Sequence, residues 1–257
     1  MSGFPILERM TYAEVEDALK AGITSAVFAC GAVEQHGPHL PMFMDAEHGT
    51  ALAGEVARKL GRTLAAPTVR VGCSEHHMAF SGTLTIRRET LEAICTDYCV
   101  SLARHGFTYV GIIPSHGGNF APVTEMLPRL QAAVGSSCRI GAYTDLIRMI
   151  DLWRQGVGEA GGDVSHVGGH ADIAESSIML SLFPEYVHTD LAEPGHMTTE
   201  TADVVSRILR DGLKSVAPNG ILGDARGLSA PIGVRCVAVV SDAITDHFRA
   251  DRDRPNS

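Results

Sequence analysis

Hydrophobic positions along the chain follow two alternating patterns, one typical of helices and one typical of short buried strands. Helical spacing over residues 12–20 follows Thr11, a residue type that favours a helix N-cap, and ends before Gly22. The same spacing predicts helices over residues 47–60, 89–105, 123–134, 145–155, 171–182, 198–216 and 234–249.

Short apolar runs between these helices predict strands. The runs cover residues 25–30, 64–71 (interrupted by Pro67), 109–113 and 139–143, and glycine-rich stretches over 157–169 and 220–233 predict irregular loops. Strands that alternate with helices are typical of the α/β class with a mostly parallel sheet. No repeat or linker interrupts the pattern, so we expect a single domain over residues 1–257.

Composition and charge narrow the function classes. The 257 residues are 45% apolar and 20% charged, as in ordinary globular chains, and the formal net charge of -9 comes without a basic stripe. We therefore expect no nucleic-acid partner. The longest apolar stretch, over residues 23–33, is too short to cross a bilayer, so we expect no membrane partner. No secretory signal and no C-x-x-C pair is visible, which predicts reduced thiols and a cytoplasmic location.

Ionisable residues concentrate where the predicted strands end. Binding residues of open α/β sheets gather in loops after the carboxyl ends of strands. Three such loops and the entry to a later helix are rich in ionisable or polar side chains. The loop after residue 30 holds Glu34, His36, His39 and Asp45, and the loop after residue 71 holds Glu75, His76 and His77. The loop after residue 113 holds His116 and Asn119, and the helix entry holds His166, His170, Asp172 and Glu175.

The first loop has the composition of a metal site. Glu34 and His36 are two residues apart, so in extended backbone both side chains point the same way. Asp45 follows in the same loop, and its two carboxylate oxygens could bridge two cations. Such mixed oxygen and nitrogen ligands suit Zn, Mn or Fe. The alternative is a solvated polar loop with His39 and His48 at the surface.

The run His116-Gly117-Gly118-Asn119 adds a further candidate ligand. Glycines beside a histidine at a strand end let the backbone approach a ligand closely. A similar run forms the oxyanion hole of α/β-hydrolases, but that mechanism needs a G-x-S-x-G nucleophile, which the sequence lacks. A tight turn with an incidental histidine is the alternative.

His170 and Glu175 stand at a predicted junction between a loop and a helix. A carboxylate in the first turns of the helix suits a metal ligand, and a histidine in the loop suits proton transfer. Glu175 could instead simply interact with the helix N-terminus.

Together these motifs resemble the creatininase (creatinine amidohydrolase) family. The segments GAVEQHGPHLP with its trailing Asp, SEHHMAFSGTLTI, SHGGN, GGHADIAESSIML and GILGDARGLS occur in the family's order from Gly31 to the last helix. The resemblance implies a three-layer α/β/α fold, two divalent metal ions and a homohexamer. It implies that Glu34 and His116 hold one metal, that His36 holds the second, and that Asp45 bridges both. Glu175 becomes the fifth ligand, and His170 matches the catalytic histidine.

The resemblance also implies the reaction, in which a metal-bridged hydroxide cleaves a C–N bond of a small, cyclic amide. His170 protonates the leaving nitrogen, with Glu175 or Glu75 as alternatives, and the predicted substrate contacts are His77, Phe80, Gly117, Gly118 and Asn119. Creatininase itself has Tyr and Glu where this chain has Gly117 and Gly118, which argues against creatinine as the substrate. A formamide deformylase, a mycofactocin-type precursor peptidase and a non-catalytic metal-binding protein are the alternatives.

Overall fold

Four parallel strands form the central sheet of the computed structural model, which describes residues 6–197 and 201–254. Their order across the sheet is β2-β1-β3-β4, and their bounds are β1 (Ser25–Cys30), β2 (Thr63–Ala65), β3 (Tyr109–Pro114) and β4 (Arg139–Ala142). Two further strands, β5 (Val167–His170) and β6 (Leu222–Gly223), pair antiparallel in a separate small sheet.

Helices flank the sheet on both faces. Their bounds are α1 (Tyr12–Lys20), α2 (Met44–Leu60), α3 (Arg88–Arg104), α4 (Phe120–Val134), α5 (Leu146–Glu159), α6 (Ile173–Leu182), α7 (Thr201–Asp211) and α8 (Ala230–Arg252). The prediction for α1 is confirmed, and Thr11 caps it in a reciprocal pair with Glu14. Within the described residues, no helix combines the length and hydropathy needed to span a membrane.

The side chains of β1 divide between two cores, because successive strand residues point to opposite faces of a sheet. Val27 and Ala29 pack with α2, α5, α6 and α8, whereas Ala26 and Phe28 pack with α3 and α4. The three-layer α/β/α fold with a mostly parallel sheet is therefore confirmed.

Two predicted elements at the start of the sheet have different bounds. The strand expected over 64–71 ends at Ala65, because Pro67 cannot donate to the ladder; Val69 then makes one isolated bridge with Cys30. Helix α2 begins at Met44 instead of residue 47. Asp45 therefore lies in the first helical turn and not in the loop. Its negative charge there interacts favourably with the N-terminus of α2.

The glycine-rich stretch expected to be a loop over 157–169 contains regular structure. Helix α5 continues to Glu159, and β5 occupies the end of the stretch, so His170 ends a strand and is not in a loop. Helix α8 packs so closely against Gly156 of α5 that a Cβ there would be 2.8 Å from the Cα of Cys236. Close helix packing, not a turn, explains this glycine.

The loop expected over 220–233 is shorter, and the last helix is longer. Helix α8 begins at Ala230, with Pro231 in its first turn, where a missing N–H costs nothing. Gly233 lies in this helix, and its lack of a side chain is explained by close packing, since a Cβ there would overlap the carbonyl oxygen of Ser177 in α6. The helix expected over 198–216 ends at Asp211, and residues 198–200 lie outside the described residues.

Candidate metal centre

Five predicted ligands meet at the carboxyl edge of the sheet, where the rule for strand ends places four of them. The set consists of two residues that follow β1, one from the first turn of α2, one that follows β3 and one from the first turn of α6: Glu34, His36, Asp45, His116 and Glu175. All five side chains are buried. We call these five residues the ligand cluster.

Asp45 lies between two histidine rings of the ligand cluster. Its Oδ1 is 3.3 Å from Nε2 of His36, and its Oδ2 is 3.2 Å from Nδ1 of His116. The hydroxyl of Ser115, next to His116, donates to the backbone carbonyl of Asp45 at 2.8 Å and holds the start of α2 against the end of β3. One carboxylate therefore faces both imidazoles, as a bridge between two cations requires.

Each of these histidines also has a carboxylate of its own. Glu34 Oε1 lies 3.2 Å from Nδ1 of His116, and Glu175 Oε2 lies 3.6 Å from Nε2 of His36. The backbone N–H of Ala171 donates to Glu175 Oε2 at 2.6 Å and fixes this carboxylate. The ligand cluster thus has two halves, which share Asp45.

The charge of the ligand cluster fits a divalent cation. Every ion pair that the described part of the chain gives Glu34, Asp45 and Glu175 is with histidine, so no lysine or arginine pairs with them there. Both carboxylate oxygens of Glu34 and Nε2 of His36 lack hydrogen bonds. Buried anions need a partner charge, and oxygen and imidazole donors are metal ligands. The donor set supports binding of a divalent metal.

In the metal-free cluster, protons on its side chains offset part of the negative charge of the carboxylates. Burial lowers the pKa of His36, but the carboxylates of Asp45, Glu175 and Glu34 outweigh it and raise that pKa to about 10. Burial raises the pKa of Glu175 to about 8, although His36 acts in the opposite direction. A metal ion that binds here must therefore displace protons.

Two further histidines face the ligand cluster. His170 Nδ1 lies 4.0 Å from both Glu34 Oε1 and Glu175 Oε2, and burial, with His36, holds the pKa of His170 well below its usual range. His77 Nε2 lies 3.3 Å from Glu34 Oε1. His170 is therefore farther from the carboxylates than the histidines of the cluster.

A cavity of about 560 Å³ opens onto the ligand cluster. Gly117, Gly118 and His77 contribute to its wall, as predicted for substrate contacts. Its outer wall is apolar and comes mainly from α5 and α7, with Leu146, Ile147, Ile150, Trp153, Val204, Ile208 and Leu209. The cavity can hold a molecule much larger than a bare amide group.

Other predicted site residues lie away from this cavity. Asn119 donates to the carbonyls of Cys30 and Gly31 and accepts from the N–H of Cys73, so its amide is used to hold backbone. Phe80 packs with the apolar residues of α7, and Glu75 is exposed. The structure does not bring Asn119, Phe80 or Glu75 to the ligand cluster.

Sequence reasoning assigned no role at the site to four residues that lie near the cluster. Gln35 bonds to two of the site histidines, Asp172 caps α6, and His48 and Trp153 line the cavity. His39 and His48 are buried, so the alternative that they lie at the surface is wrong. An aspartate directly before a helical pattern is a known N-cap signal and could have identified Asp172.

Comparisons with known proteins identify the family and agree with the fold. The family model described as creatininase, creatinine amidohydrolase, matches residues 8–248. The chain is 31% identical over 230 residues to a mycofactocin precursor peptide peptidase of Mycobacterium ulcerans, covering 85% of this chain and 82% of the relative. It is 28% identical over 266 residues to a creatinine amidohydrolase of Pseudomonas putida, covering 96% and 99%. A solved structure described as creatininase with Mn has a TM-score of 0.77 at 23% identity, covering 98% of this chain and 100% of that chain.

Proposed function

The chain belongs to the creatininase family, and on this premise we propose that it is a binuclear metal-dependent amidohydrolase that cleaves a C–N bond of a small amide. In this proposal Glu34 and His116 hold one divalent ion, His36 and Glu175 hold the other, and Asp45 binds both. Zn, Mn and Fe all suit these donors.

The position of Asp45 carries the proposal. Its two oxygens lie 3.3 and 3.2 Å from the nitrogens of His36 and His116, which belong to different halves of the ligand cluster. A protein that held one ion would need no carboxylate shared between two histidines that each have their own. This arrangement supports two ions.

The surrounding residues suit hydrolysis of an amide. The ligand cluster would hold divalent ions, whose Lewis-acid chemistry would lower the pKa of water and polarise a carbonyl group. The imidazole of His170 is poised to move a proton: its Nδ1 is 4.0 Å from two cluster carboxylates, while its Nε2 is 3.1 Å from the backbone carbonyl of Gln35. We assign to His170 the protonation of the leaving nitrogen. The backbone at Gly117 and Gly118 borders the same space and can approach the substrate oxygen closely.

Elemental analysis followed by an activity screen tests the proposal. The full-length protein, purified without added metal and then loaded with Zn, Mn or Fe, is expected to hold about two ions per chain. The loaded protein is then assayed on lactams, hydantoins, creatinine and formamides. Full activity with one ion per chain would contradict the binuclear assignment, and saturating metal without hydrolysis of any amide would contradict the enzyme assignment.

A second candidate function is cleavage of a peptide, and the cavity favours it. Its volume of about 560 Å³ lies in the range of ~300–1,000 Å³ typical of sites for drug-sized ligands, and its outer wall is apolar. A small cyclic amide would leave most of that wall uncovered, whereas an apolar peptide end would bury it. The 31% identical relative is named as a peptide peptidase, which supports the same candidate.

Substitution of the apolar wall distinguishes the two candidates. Ile147 in α5 is 62% exposed and lines the cavity, whereas Val234 in α8 is 63% exposed and does not. If the substrate is an apolar peptide, Ile147→Ser is expected to raise KM several-fold, because the CH₂ and CH₃ groups that it removes each contribute about 0.8 kcal/mol when buried. Val234→Ser serves as the control and should leave KM unchanged. An unchanged KM in both variants would favour the small amide.

A further inference from the structure

Gln35 lies between two residues of the ligand cluster in sequence, but its side chain bonds to residues beside the cluster. The side chain is buried, and its Nε2 lies 3.0 Å from Nδ1 of His77, 3.0 Å from Nε2 of His170 and 3.3 Å from the carbonyl oxygen of Gly220. Its Oε1 accepts from the backbone N–H of Gly37 at 3.0 Å.

The orientation of the Gln35 amide follows from its backbone neighbours. The N–H of Gly37 can only donate, so the atom that faces it must be the amide oxygen. The carbonyl of Gly220 can only accept, so the atom that faces it must be the NH₂ group. Gly220 also packs closely against the amide, since a Cβ there would overlap Oε1 of Gln35. The two backbone groups thus exclude the flipped amide, and the tight packing keeps the side chain in place.

This orientation determines where His77 carries its proton. The NH₂ group of Gln35 has only two hydrogens to donate. His170 Nε2 lies 3.1 Å from the backbone carbonyl of Gln35, which can only accept, so this nitrogen carries its own hydrogen and does not accept from the amide. The two amide hydrogens therefore go to the carbonyl of Gly220 and to Nδ1 of His77, which then cannot carry a hydrogen. A neutral imidazole has one N–H, which must then be on Nε2. That nitrogen lies 3.3 Å from Glu34 Oε1 and faces the ligand cluster.

We propose that Gln35 is a positioning residue that holds His77 in its Nε2–H tautomer, so that His77 presents a hydrogen-bond donor, and not a metal ligand, to the site. Glu34, His77 and His170 lie close enough together to ligate one ion, but a protonated nitrogen has no lone pair for a metal. The N–H of His77 instead faces the carboxylate of Glu34, at 3.3 Å, and the adjoining cavity, where it can donate to a substrate oxygen. The donor role rests on the proposed function, whereas the tautomer does not.

Nitrogen-15 NMR of histidine tests the tautomer without any turnover. The full-length protein, labelled with ¹⁵N-histidine, is examined metal-free and loaded with ¹¹³Cd, and the signals of His77 are assigned as those missing from His77→Gln. We expect the Nε2 signal of His77 at the protonated position and the Nδ1 signal at the unprotonated position in both states, with no coupling to cadmium. An Nδ1–H tautomer, or cadmium coupling at His77, would overturn the proposal.

Two substitutions of Gln35 test the cause. In Gln35→Glu the new carboxylate can only accept, so Nδ1 of His77 should gain a hydrogen and its nitrogen signal should move to the protonated position. In Gln35→Met, which donates nothing, His77 should show a mixture of both tautomers. Gln155→Glu, the same change at an exposed glutamine of α5, is the matched control and should leave His77 unchanged. An unchanged Nε2–H tautomer in folded Gln35→Glu would show that Gln35 does not determine it.

Discussion

Gly118 packs directly against the backbone carbonyl of Cys73, so that a Cβ built on Gly118 would overlap the carbonyl oxygen. The same Cβ would stand 2.5 Å from Nε2 of His116. The adjacent Gly117 has no atom within 4 Å of its Cβ position. Two neighbouring glycines therefore differ sharply in the space around them, and only one of them restrains a cluster histidine.

Gly118→Ala should weaken metal binding, whereas Gly117→Ala should not. The new methyl group must displace either the His116 ring or the backbone of residue 73, and loss of such support typically costs about 10- to 100-fold in metal affinity. Zinc titration of the metal-free protein by calorimetry measures the effect. Equal zinc affinity in Gly118→Ala and Gly117→Ala would mean that the glycine does not hold His116 in place. This close packing also explains why a longer side chain, such as the Glu of creatininase, does not fit at residue 118 here.

Asp45→Asn should remove both metal ions together and abolish activity with them. An asparagine amide offers one oxygen in place of two, so it cannot bind both halves of the ligand cluster. Elemental analysis after dialysis measures the ions per chain, and Asp97→Asn, the same change on the exposed face of α3, is the control. Full metal stoichiometry in Asp45→Asn would show that Asp45 is not the bridge.

His170→Ala should retain metal and lose turnover. The ring lies 4.0 Å from the two nearest cluster carboxylate oxygens, farther than His36 or His116 from theirs, and it is also near enough to share an ion with His36 and Glu175. The proposed function assigns proton transfer to His170, and the metal content of the variant decides between that role and ligation. Loss of a general acid or base typically lowers kcat by about 10²- to 10⁴-fold. The measurements are ions per chain and kcat on the substrate that the screen identifies. If the variant instead loses one ion per chain, His170 is a ligand.

Local sequence patterns predicted those parts of the fold that depend on local interactions. Helix α1 has its cap and its apolar spacing within ten residues, and β1 and β3 are uninterrupted apolar runs. Much of the ligand cluster could be predicted from the sequence as well, because parallel strands bring their carboxyl ends to one edge of the sheet. The metal pairing and the role of His170 came from the family resemblance. The hexamer, the cytoplasmic location and the single domain remain predictions.

Contacts between distant segments explain what the sequence did not reveal. Gly156 and Gly233 are of a residue type that favours loops, but both lie in helices. The close approach of Cys236 and Ser177 leaves no room for a side chain at these positions. The bond from Gln35 to His77 spans 42 residues, and no local pattern indicates it. The hydroxyl of Ser115, 70 residues away, donates to the backbone carbonyl of Asp45 at the start of α2. In each case the partner is far away in sequence, so that its identity follows only from the folded chain.

Asp172 should be the most important structural carboxylate near the site. It is fully buried, and its Oδ2 accepts from the N–H groups of Gly168 and Gly169 while its Oδ1 accepts from those of Ala174 and Glu175. These bonds join the end of β5 to the start of α6 and so fix the spacing of His170 and Glu175. They also support the connecting residue Ala171, whose positive φ of 53° is unusual for alanine.

Asp172→Ala should therefore lower the free energy of unfolding of the metal-free protein by about 2–5 kcal/mol, since it removes an N-cap and leaves several buried N–H groups without an acceptor. Asp163→Ala is the matched control, because Asp163 caps a short turn in the same way at Ser165 but is exposed, and we expect a clearly smaller loss there than in Asp172→Ala. Urea unfolding in the presence of EDTA measures both variants. Similar losses in the two variants would mean that the four bonds to Asp172 contribute no more than an ordinary surface cap, and that other contacts hold His170 and Glu175 together.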